Sequence, residues 1–366
     1  MLDPLSFFGA TSARGEPEVV TVSASGLNYS AFERVQVRAS FKEAARSFRL
    51  EVAAELGASA TNAIFAADTP VQIYIGGDLV IDGYVDSRDP QIDADSARIN
   101  IGGRSKSSDL IDSSALHDTG WFENKTLLDI GNEIARGIAA LFTSDQEMEQ
   151  IPFYHLTQGK SVFDTVEELA RQQGLTLVGM PDGNIKITKA GSQRHAGGLF
   201  EGKNIKIGSA SHNSANRHSE YHVRGQRPIE HGAEALEIEA IARDAQIGRH
   251  RPIVIIEKQD TSKDRAKKRS ENRRDRAAGN ALRARITVVG FRDEGGTLWE
   301  PGHLVWTESP FLDIAQDMLI ETVDFGQDSA GSLTALGLVD PRAFGGQGGK
   351  GNKSGESWSM DDSDAE

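Results

Sequence analysis

One stretch decides the fold of this 366-residue chain: Gly290-Phe291-Arg292-Asp293-Glu294-Gly295-Gly296-Thr297-Leu298-Trp299-Glu300-Pro301-Gly302-His303-Leu304-Val305. It follows Ile286 to Val289, a run of β-branched residues that is typical of a strand. Asp293 to Gly296 favour a tight turn, and Pro301-Gly302 marks a second turn. The pattern predicts a β-hairpin within a region built of strands.

The first third of the chain also indicates strands. Apolar and polar side chains alternate over most of three segments, and Gly76-Gly77-Asp78 joins two further segments as a tight hairpin turn. Several short strands at this spacing predict a barrel or a sandwich, in which closure hides the strand edges. The five segments are Val19 to Ala24, Arg34 to Phe41, Phe48 to Ala53, Val71 to Ile75 and Leu79 to Val85.

Helical periodicity replaces this alternation between residues 124 and 180. Two helices are predicted. The second begins at Ser161, which precedes Asp164 by three residues as in a capping box, and ends at Gly174. Leu175 to Val178 and Ile185 to Thr188 then predict a hairpin, so a small α/β insert separates two strand-rich regions. The first helix is predicted from apolar residues that recur every three or four positions, Leu127, Ile130, Ile134, Ile138 and Leu141.

A basic helix is predicted over residues 262–285, among returning strands. Thr261-Ser262 can cap it, and its first half contains one apolar residue, Ala266, so it is not expected to be a core helix. Ten Lys or Arg and three acidic residues give it a charge of +7, which leaves −21 for the rest of a chain whose net charge is −14. The strands around it are Ile205 to Ile207, Tyr221 to Arg224, Ile253 to Ile256 and Ile286 to Val289.

The ordered series of segments resembles one protein family, the Mu-like phage tail proteins that form the baseplate hub of contractile tails. The stretch Gly290 to Val305 is similar to the C-terminal barrel of these proteins. The first barrel of the family, in which a strand ends in Gly-Arg and Asp-Leu-Val-Asp follows, is similar to Val80 to Asp86, Ile99 to Ser105 and Asp109 to Ala115. Met318 to Val323 and Leu336 to Phe344 fit its closing strands, and the similarity covers most of residues 17–344, least clearly from Ala190 to Leu236.

The resemblance implies a fold class and a division into domains. The fold is expected to be α+β, mainly β, with two β-barrel-like domains resembling tail-tube domains, a small α/β insert and a long basic helix. The expected boundaries are residues 1–116 for the first barrel, 117–189 for the insert, 190–344 for the second barrel with its helix 262–285, and 345–366 for a disordered Gly/Ser-rich and acidic tail.

The resemblance also implies a function and partners. The chain would be a structural hub subunit, a homotrimer that joins the tail tube to the central spike and lines the ejection channel. Its partners would be the spike protein, the tail tube or tube-initiator protein and the wedge proteins, in the baseplate of a virion assembled in the bacterial host cytoplasm. DNA would pass without specific binding, because an acidic lumen repels phosphates. Two alternatives stay open: a secretion-system spike or late-control-like barrel protein, and a baseplate-associated cell-wall-degrading enzyme.

The composition excludes several kinds of site. The chain contains no cysteine, which excludes disulfides and thiolate metal sites. No apolar run approaches the roughly 20 residues that span a bilayer. The N-terminal residues lack the basic region of a signal peptide, so no membrane insertion is expected.

No catalytic, cofactor-binding or metal-binding residue is predicted. Gly346 to Gly351 match the G-x-G-x-x-G pattern, but no strand–helix unit surrounds them, so a linker is the better interpretation. His218 and His222 flank Glu220, yet zinc would need a further ligand to converge with them. The chain has no G-x-S-x-G motif, and its 54 carboxylates do not identify the fixed pair that a glycosidase requires.

The basic helix is the one candidate interaction site. Arg273, Arg274 and Arg276 are candidate subunit-interface residues, because a +7 helix in an acidic chain can bind an acidic face of a neighbouring subunit. The helix can also be a solvated face with internal pairs Asp264–Lys268 and Glu271–Arg274, or a contact for nucleic-acid phosphates. The helix lacks interleaved aromatic residues, which counts against binding of single strands.

Overall fold

The computed structural model describes residues 18–54, 64–94, 96–191, 193–225, 238–257 and 262–345. The predicted tail beyond Gly345, with its glycine-rich pattern, and the predicted cap residue Thr261 lie outside these residues. The described chain contains four α-helices and one 3₁₀ helix: α1 (Ser108–Asp112), α2 (Leu127–Ile134), α3 (Val162–Gln172), α4 (Lys263–Gly279) and the 3₁₀ helix Pro341–Phe344.

Strands make up about half of the described structure. Before the insert they are β1 (Val20–Ala24), β2 (Leu27–Tyr29), β3 (Arg34–Ser40), β4 (Ser47–Ala54), β5 (Pro70–Ile75), β6 (Asp78–Ile92) and β7 (Ala97–Ser105). In the insert they are β8 (Trp121–Thr126), β9 (Phe142–Ser144), β10 (Gln150–His155), β11 (Thr176–Gly179) and β12 (Ile185–Thr188). After it they are β13 (Arg194–Phe200), β14 (Ile207–His212), β15 (Glu220–Gly225), β16 (Ile238–Arg243), β17 (Pro252–Ile256), β18 (Leu282–Val289), β19 (Leu304–Ser309), β20 (Ile314–Asp328) and β21 (Gly331–Val339).

One 13-stranded sheet draws on both ends of the chain. Its order is β14-β18-β21-β20-β3-β4-β7-β6-β5-β1-β2. Two further strands lie off this order: β19 pairs with β20, and β13 pairs with β19. The first half of the sheet consists of the strands before the insert, β1 to β7, and the second half consists of strands after the insert. The two halves meet where β20 and β3 pair antiparallel, from Thr322↔Ser40 to Asp328↔Arg34. Among the described strands, β2 and β14 end this order and do not pair with each other, so backbone hydrogen bonds do not close the sheet into a barrel.

The two halves of this sheet share one apolar core. Alternate residues of β1, which are Val20, Val22 and Ala24, are buried in the same cluster as Phe325 of β20 and Leu336 of β21. The predicted alternation in the first strands is therefore confirmed, and it places residues from opposite ends of the sequence on one buried face.

The insert has its own core. Thr126 caps α2 in a capping box with Asp129, and the Oγ of Ser161 accepts a hydrogen bond from the backbone N–H of Asp164 at the start of α3. The core begins ahead of the expected boundary at residue 116, since it includes Leu110 of α1 and the following Ala115. Two small sheets, β8–β10 and β11-β12-β9, surround these helices.

The first insert helix is shorter than predicted. The apolar period runs on to Leu141, but α2 ends at Ile134. Gly137 adopts a φ of +93°, which breaks the helical path, and Leu141 is exposed. The side chain of Asn132 hydrogen-bonds both the backbone N–H and the C=O of Phe142, which fixes the start of β9 instead.

Strands β6 and β14 also have different bounds from those predicted. β6 continues beyond Val85 to Ile92, because its hairpin with β7 extends to the pair Ile92↔Ala97. β14 begins at Ile207, where its pairing with β18 begins, and not at Ile205 as predicted.

The basic helix α4 ends at Gly279, six residues before its predicted end. Ser262 caps it by accepting a hydrogen bond from the backbone N–H of Arg265, as predicted. The last predicted helical residues belong to β18, in which every second residue from Leu282 to Val288 is buried, a strand period. The helix proper carries eight Lys or Arg and three acidic residues. Ala266 packs against Val223 and Ile238 of the three-stranded sheet β16-β15-β17.

Candidate functional site: the joint between the two halves

The decisive stretch, Gly290 to Val305, is named here the joint segment. The prediction that it forms a hairpin is wrong: β18 pairs with β14 and β21, whereas β19 pairs with β13 and β20. A single bridge, Arg292↔Leu298, closes the turn. Polar side chains of the segment, those of Arg292, Asp293 and Glu300, also bind other parts of the molecule, so the segment connects the two halves.

Arg292 attaches the joint segment to the hairpin turn between β5 and β6. It forms ion pairs with the buried Glu18 and, at 2.8 Å between Nη1 and Oδ2, with Asp78. Its Nη2 donates to the carbonyl of Ile75 at 3.2 Å, and its Nη1 donates to the carbonyl of Gly296 at 2.9 Å. One guanidinium thereby holds two turns together that are more than 200 residues apart in sequence.

Asp293 organises the turn itself. Its Oδ1 accepts hydrogen bonds from the backbone N–H groups of Gly295 and Thr297 at 2.9 and 2.8 Å. Its Oδ2 lies 2.8 Å from Nδ1 of His195 and accepts from the backbone N–H of Ala196. Burial alone would raise the pKa of the Asp293 carboxyl, but these hydrogen bonds outweigh it and lower that pKa.

A second histidine lies beside this pair. His195 accepts a hydrogen bond at Nε2 from the backbone N–H of Glu300, 3.1 Å away, so its Nδ1 is the nitrogen that donates to Asp293. The rings of His195 and His303 have centroids 4.9 Å apart. Burial, and to a lesser degree the neighbouring His195, lower the pKa of His303 to about 4.

Arg46 joins three parts of the molecule and is 1% exposed. Its Nη2 lies 2.6 Å from Oε2 of Glu300 in the joint segment. Its Nε donates to the carbonyl of Gly179 in the insert at 3.0 Å, and its Nη1 donates to that of Val80 in the first half at 3.3 Å. Because all three contacts use one buried cation, displacing any one part leaves charge or polar groups unpaired.

An apolar cluster continues the joint next to these ionic contacts. Phe41 follows β3, Val178 belongs to the insert, and Leu304, Leu319 and Val339 come from the second half. Charged and apolar contacts therefore act on the same three parts. The arrangement is suited to holding them in one fixed geometry, since Arg46, His195, Asp293 and Phe41 at its centre are buried.

Acid should weaken this joint in a defined pH range. The folded pKa of His303, about 4, is below the ordinary value of about 6.5, so the fold favours the neutral ring. Its contribution to stability is present above pH 6.5 and is lost as the pH falls from there towards 4. The lowered pKa of Asp293 acts only at lower pH, below its ordinary value.

We therefore expect the melting temperature to fall between pH 6.5 and 4, and to fall less in a His303→Gln variant, as measured by circular dichroism. His250→Gln, which changes an exposed histidine, serves as the control and should follow the wild-type curve. Identical pH profiles for wild type and His303→Gln would contradict this expectation.

The three predicted interface residues lie on α4, outside the joint segment. Arg273 and Arg276 are exposed, whereas Arg274 is half-buried and its Nε lies 2.9 Å from Oδ1 of Asp275. Neither of the helix pairs predicted from the sequence forms. Among the described residues, the ion pairs of α4 join Arg269 to Glu257 and Arg274 to Asp275.

Two arginines assigned to this helix from the sequence lie on β18 instead. Arg283 pairs with Glu321 and Arg285 with Asp324, each at 2.9 Å. Both pairs join β18 to β20 across the intervening strand β21.

Of the two histidines singled out in the sequence, His222 pairs with carboxylates, whereas the ring of His218 packs against Tyr221. His222 lies between Glu220 and Glu239, at 2.9 and 3.0 Å, and their hydrogen bonds raise its pKa. Within the ranges that the structure describes, no group of three or more His, Asp or Glu side chains is placed to hold a metal ion. In the same ranges, no helix has the length and apolar character to cross a membrane.

Sequence reasoning did not single out the residues of the joint. Asp293 and Glu300 lie in the joint segment, where the predicted turns were enough to account for polar residues. No distant partner was therefore predicted for either of them. Arg46 and His195 carried no pattern, because each acts through contacts about 100 to 250 residues away.

Three sequence profiles match the chain in order. They are described as Mu phage baseplate assembly protein GpP-like, N-terminal, over residues 19–105; baseplate hub protein gp44-like, second domain, over 107–189; and Mu phage baseplate assembly protein GpP, fourth domain, over 261–347. These three do not cover residues 190–260, a range that includes the whole stretch from Ala190 to Leu236, where the sequence resemblance was least clear.

Individual relatives agree with the profiles. The baseplate hub protein gp44 of Escherichia phage Mu is 30% identical over 344 residues, which cover 89% of this chain and 88% of that protein. The crystal structure of the 43 kDa tail protein of prophage MuSo2 from Shewanella oneidensis superposes with a TM-score of 0.79 at 28% identity, over 89% of this chain and 99% of that one. The tail protein from Neisseria meningitidis MC58 shares the fold, with a TM-score of 0.73, 20% identity and the same coverage. The chain therefore belongs to the family of Mu-type phage baseplate hub proteins.

Proposed function

We propose that this hub protein joins the tail tube to the central spike and lines the ejection channel of a contractile tail. The observation that carries the proposal is the match to the phage Mu hub protein over nearly nine-tenths of both chains. The joint supports it physically. A subunit that transmits force between tube and spike needs its parts held rigidly, and Arg46, Arg292 and the cluster around Phe41 hold both halves and the insert.

The working form is proposed to be a homotrimer bound to the spike, the tail tube or tube-initiator protein and the wedge proteins. The two strand-rich regions are taken as barrel-like domains, with divisions at residues 1–116, 117–189, 190–344 and 345–366. The profile matches at 19–105 and 107–189 support a division near residue 106, slightly earlier than the first of these. Three copies of two similar domains would match a six-fold tube to a three-fold spike.

We expect this protein, co-expressed with its spike partner, to elute as a complex whose light-scattering mass contains three copies of this chain. The reason is that cyclic symmetry covers sheet edges such as β2 and β14, which are open in the single subunit. Monomer alone, with the spike protein present and folded, would contradict the hub arrangement.

The proposed location is the tail baseplate of the virion, after assembly in the host cytoplasm. A net charge of −14 supports passage of DNA without specific binding, because like charges repel. The relatives are structural baseplate and tail proteins, so we propose that the chain is not an enzyme. Failure of the purified protein to clear a peptidoglycan zymogram is the expected result, and clearing would favour the cell-wall-degrading alternative.

The arginines of α4 are proposed to bind an acidic face of a neighbouring subunit. Changing Arg273, Arg274 and Arg276 together to Glu should leave circular dichroism nearly normal, because surface changes usually alter stability by about 0.5 kcal/mol or less. The same change should impair trimer formation, since juxtaposed like charges across an interface cost several kcal/mol. Size-exclusion chromatography with light scattering measures the result.

Lys263, Lys267 and Lys268 provide a matched control, since changing them to Glu alters the charge of α4 by the same amount. All three are exposed on the first half of the helix. Normal assembly of both triple variants would make α4 a solvated face. Retention of duplex DNA at physiological salt by the wild type, lost in the arginine variant while assembly stays normal, would favour the nucleic-acid interpretation instead.

A further inference from the structure

Four arginines line one face of α4. Arg265, Arg269, Arg273 and Arg276 are spaced by four, four and three residues, which places them along one side of the helix. We call them the arginine stripe. Arg269 is paired with Glu257, but no ion pair with another described residue satisfies the remaining three. Their charge is therefore available to an anionic partner.

A groove of about 270 Å³ opens at the C-terminal end of this stripe. Its apolar lining includes Phe41, Phe163, Leu177 and Phe344, which come from four separate segments of the chain. Phe163 and Phe344 are partly exposed there, so an aromatic or long apolar residue could contact them.

The cations that line the groove differ in whether they already form an ion pair. Lys42 is already paired with Glu321, and Arg171 with Glu167. Arg276 also lines the groove and has no such pair among the described residues. The surface therefore combines an apolar floor with an uncommitted cation that continues into the arginine stripe.

The chain itself supplies a segment with the complementary chemistry. Residues 356–366 read Glu-Ser-Trp-Ser-Met-Asp-Asp-Ser-Asp-Ala-Glu, with five acidic residues, no Lys or Arg, and two large apolar residues, Trp358 and Met360. The described chain reaches Gly345 beside this surface, because a Cβ placed on Gly345 would lie 3.9 Å from Nη2 of Arg276.

The connection is long enough to reach the whole stripe. The ten residues 346–355 can span up to about 35 Å when extended. The 17-residue helix α4 is about 25 Å long. Arg265, the far end of the stripe, lies about 16 Å along the axis from Arg276.

We propose that residues 356–366 bind this surface of their own chain, with Trp358 in the groove and the acidic residues along the arginine stripe. An aromatic anchor beside complementary charges is the usual composition of a specific contact. The bound segment covers, in the isolated subunit, arginines that we assign to the subunit interface. It therefore competes with an acidic neighbour and delays assembly until that neighbour is present.

A single label can test the binding in the full-length protein. The chain has no cysteine, so Ser359→Cys provides one attachment point for a nitroxide, beside Trp358. We expect an immobilised spectrum in dilute protein at low salt. It should become mobile at about 0.5 M NaCl, where the Debye length is about 4 Å. Adding Arg273→Glu and Arg276→Glu should lower the ratio of immobile to mobile label about tenfold, since two charge pairs are lost.

Matched changes separate specific binding from a general charge effect. Lys263→Glu with Lys267→Glu makes the same change in net charge outside the stripe and should leave the label immobile. Asp361→Lys with Asp362→Lys should release the label, and combining these with the two arginine reversals should restore immobilisation. Trp358→Phe should weaken it less than Trp358→Ser.

Three results would overturn the proposal. They are a mobile label in the otherwise unchanged protein at low salt, equal release by the lysine control, and immobilisation that grows with protein concentration, which would assign the segment to a second copy. All measurements use the isolated subunit, so their failure leaves the hub function and the trimer test unaffected.

Discussion

Replacing Arg46 by Met is expected to lower the free energy of unfolding by about 3–5 kcal/mol, because it removes the buried cation from one ion pair and the donor from two backbone carbonyls. Met fills much of the volume of the aliphatic stem but carries no charge. The Glu300 carboxylate, 2.6 Å away, would lose its partner, and the carbonyls of Gly179 and Val80 would each lose a donor. All three parts of the joint are affected by the one substitution.

Urea denaturation followed by circular dichroism measures this loss. Arg34→Met is the matched control: Arg34 is 56% exposed and its pair with Asp328 is 4.0 Å long, so the expected loss is at most about 1 kcal/mol. Adding Glu300→Gln to Arg46→Met should cost less than the sum of the two single changes, because the unpaired carboxylate is then gone. Equal losses for Arg46→Met and Arg34→Met would show that Arg46 does not hold the joint.

The elements that the sequence predicts well are those in which one short segment contains the whole signal. The alternation of Val20, Val22 and Ala24 indicates one buried face of a strand, and the cap at Ser161 indicates the start of a helix. The basic helix shows the limit of such signals. Lysines and arginines continue to Arg285, so charge extends the prediction too far. The alternate apolar residues from Leu282 were the better guide, because burial rather than charge decides the element.

The joint could not be predicted in this way. Arg46 and Glu300 are 254 residues apart, and a single ionic contact at that separation leaves no period in either segment. The joint segment was recognised as informative, but its turn residues were assigned to a hairpin. Asp293 does form the turn, yet the strands on either side pair with other strands of the large sheet. Turn chemistry is local, whereas strand partners are chosen by the fold as a whole.

Replacing Gly302 by Ala should destabilise the protein by clearly more than the same change at Gly77. Both glycines have positive φ, +86° and +92°, so each alanine pays about 1–2 kcal/mol for the left-handed backbone. Around Gly77 an added Cβ meets no heavy atom within 4 Å, whereas at Gly302 it would lie 2.6 Å from two ring carbons of Phe41. Phe41 is 1% exposed in the cluster that joins the three parts, so it cannot move aside freely.

Overpacking of this kind adds about 1–3 kcal/mol, so Gly302→Ala should cost about 2–5 kcal/mol in total. The excess over Gly77→Ala, measured by urea denaturation, isolates the collision from the backbone strain. In a Phe41→Leu background the excess should shrink, because the smaller side chain leaves room for the added methyl group, and this coupling identifies Phe41 as the obstacle. Equal losses at the two glycines, or an excess unchanged by Phe41→Leu, would mean that the close approach of the joint segment to Phe41 does not limit the stability of the hub.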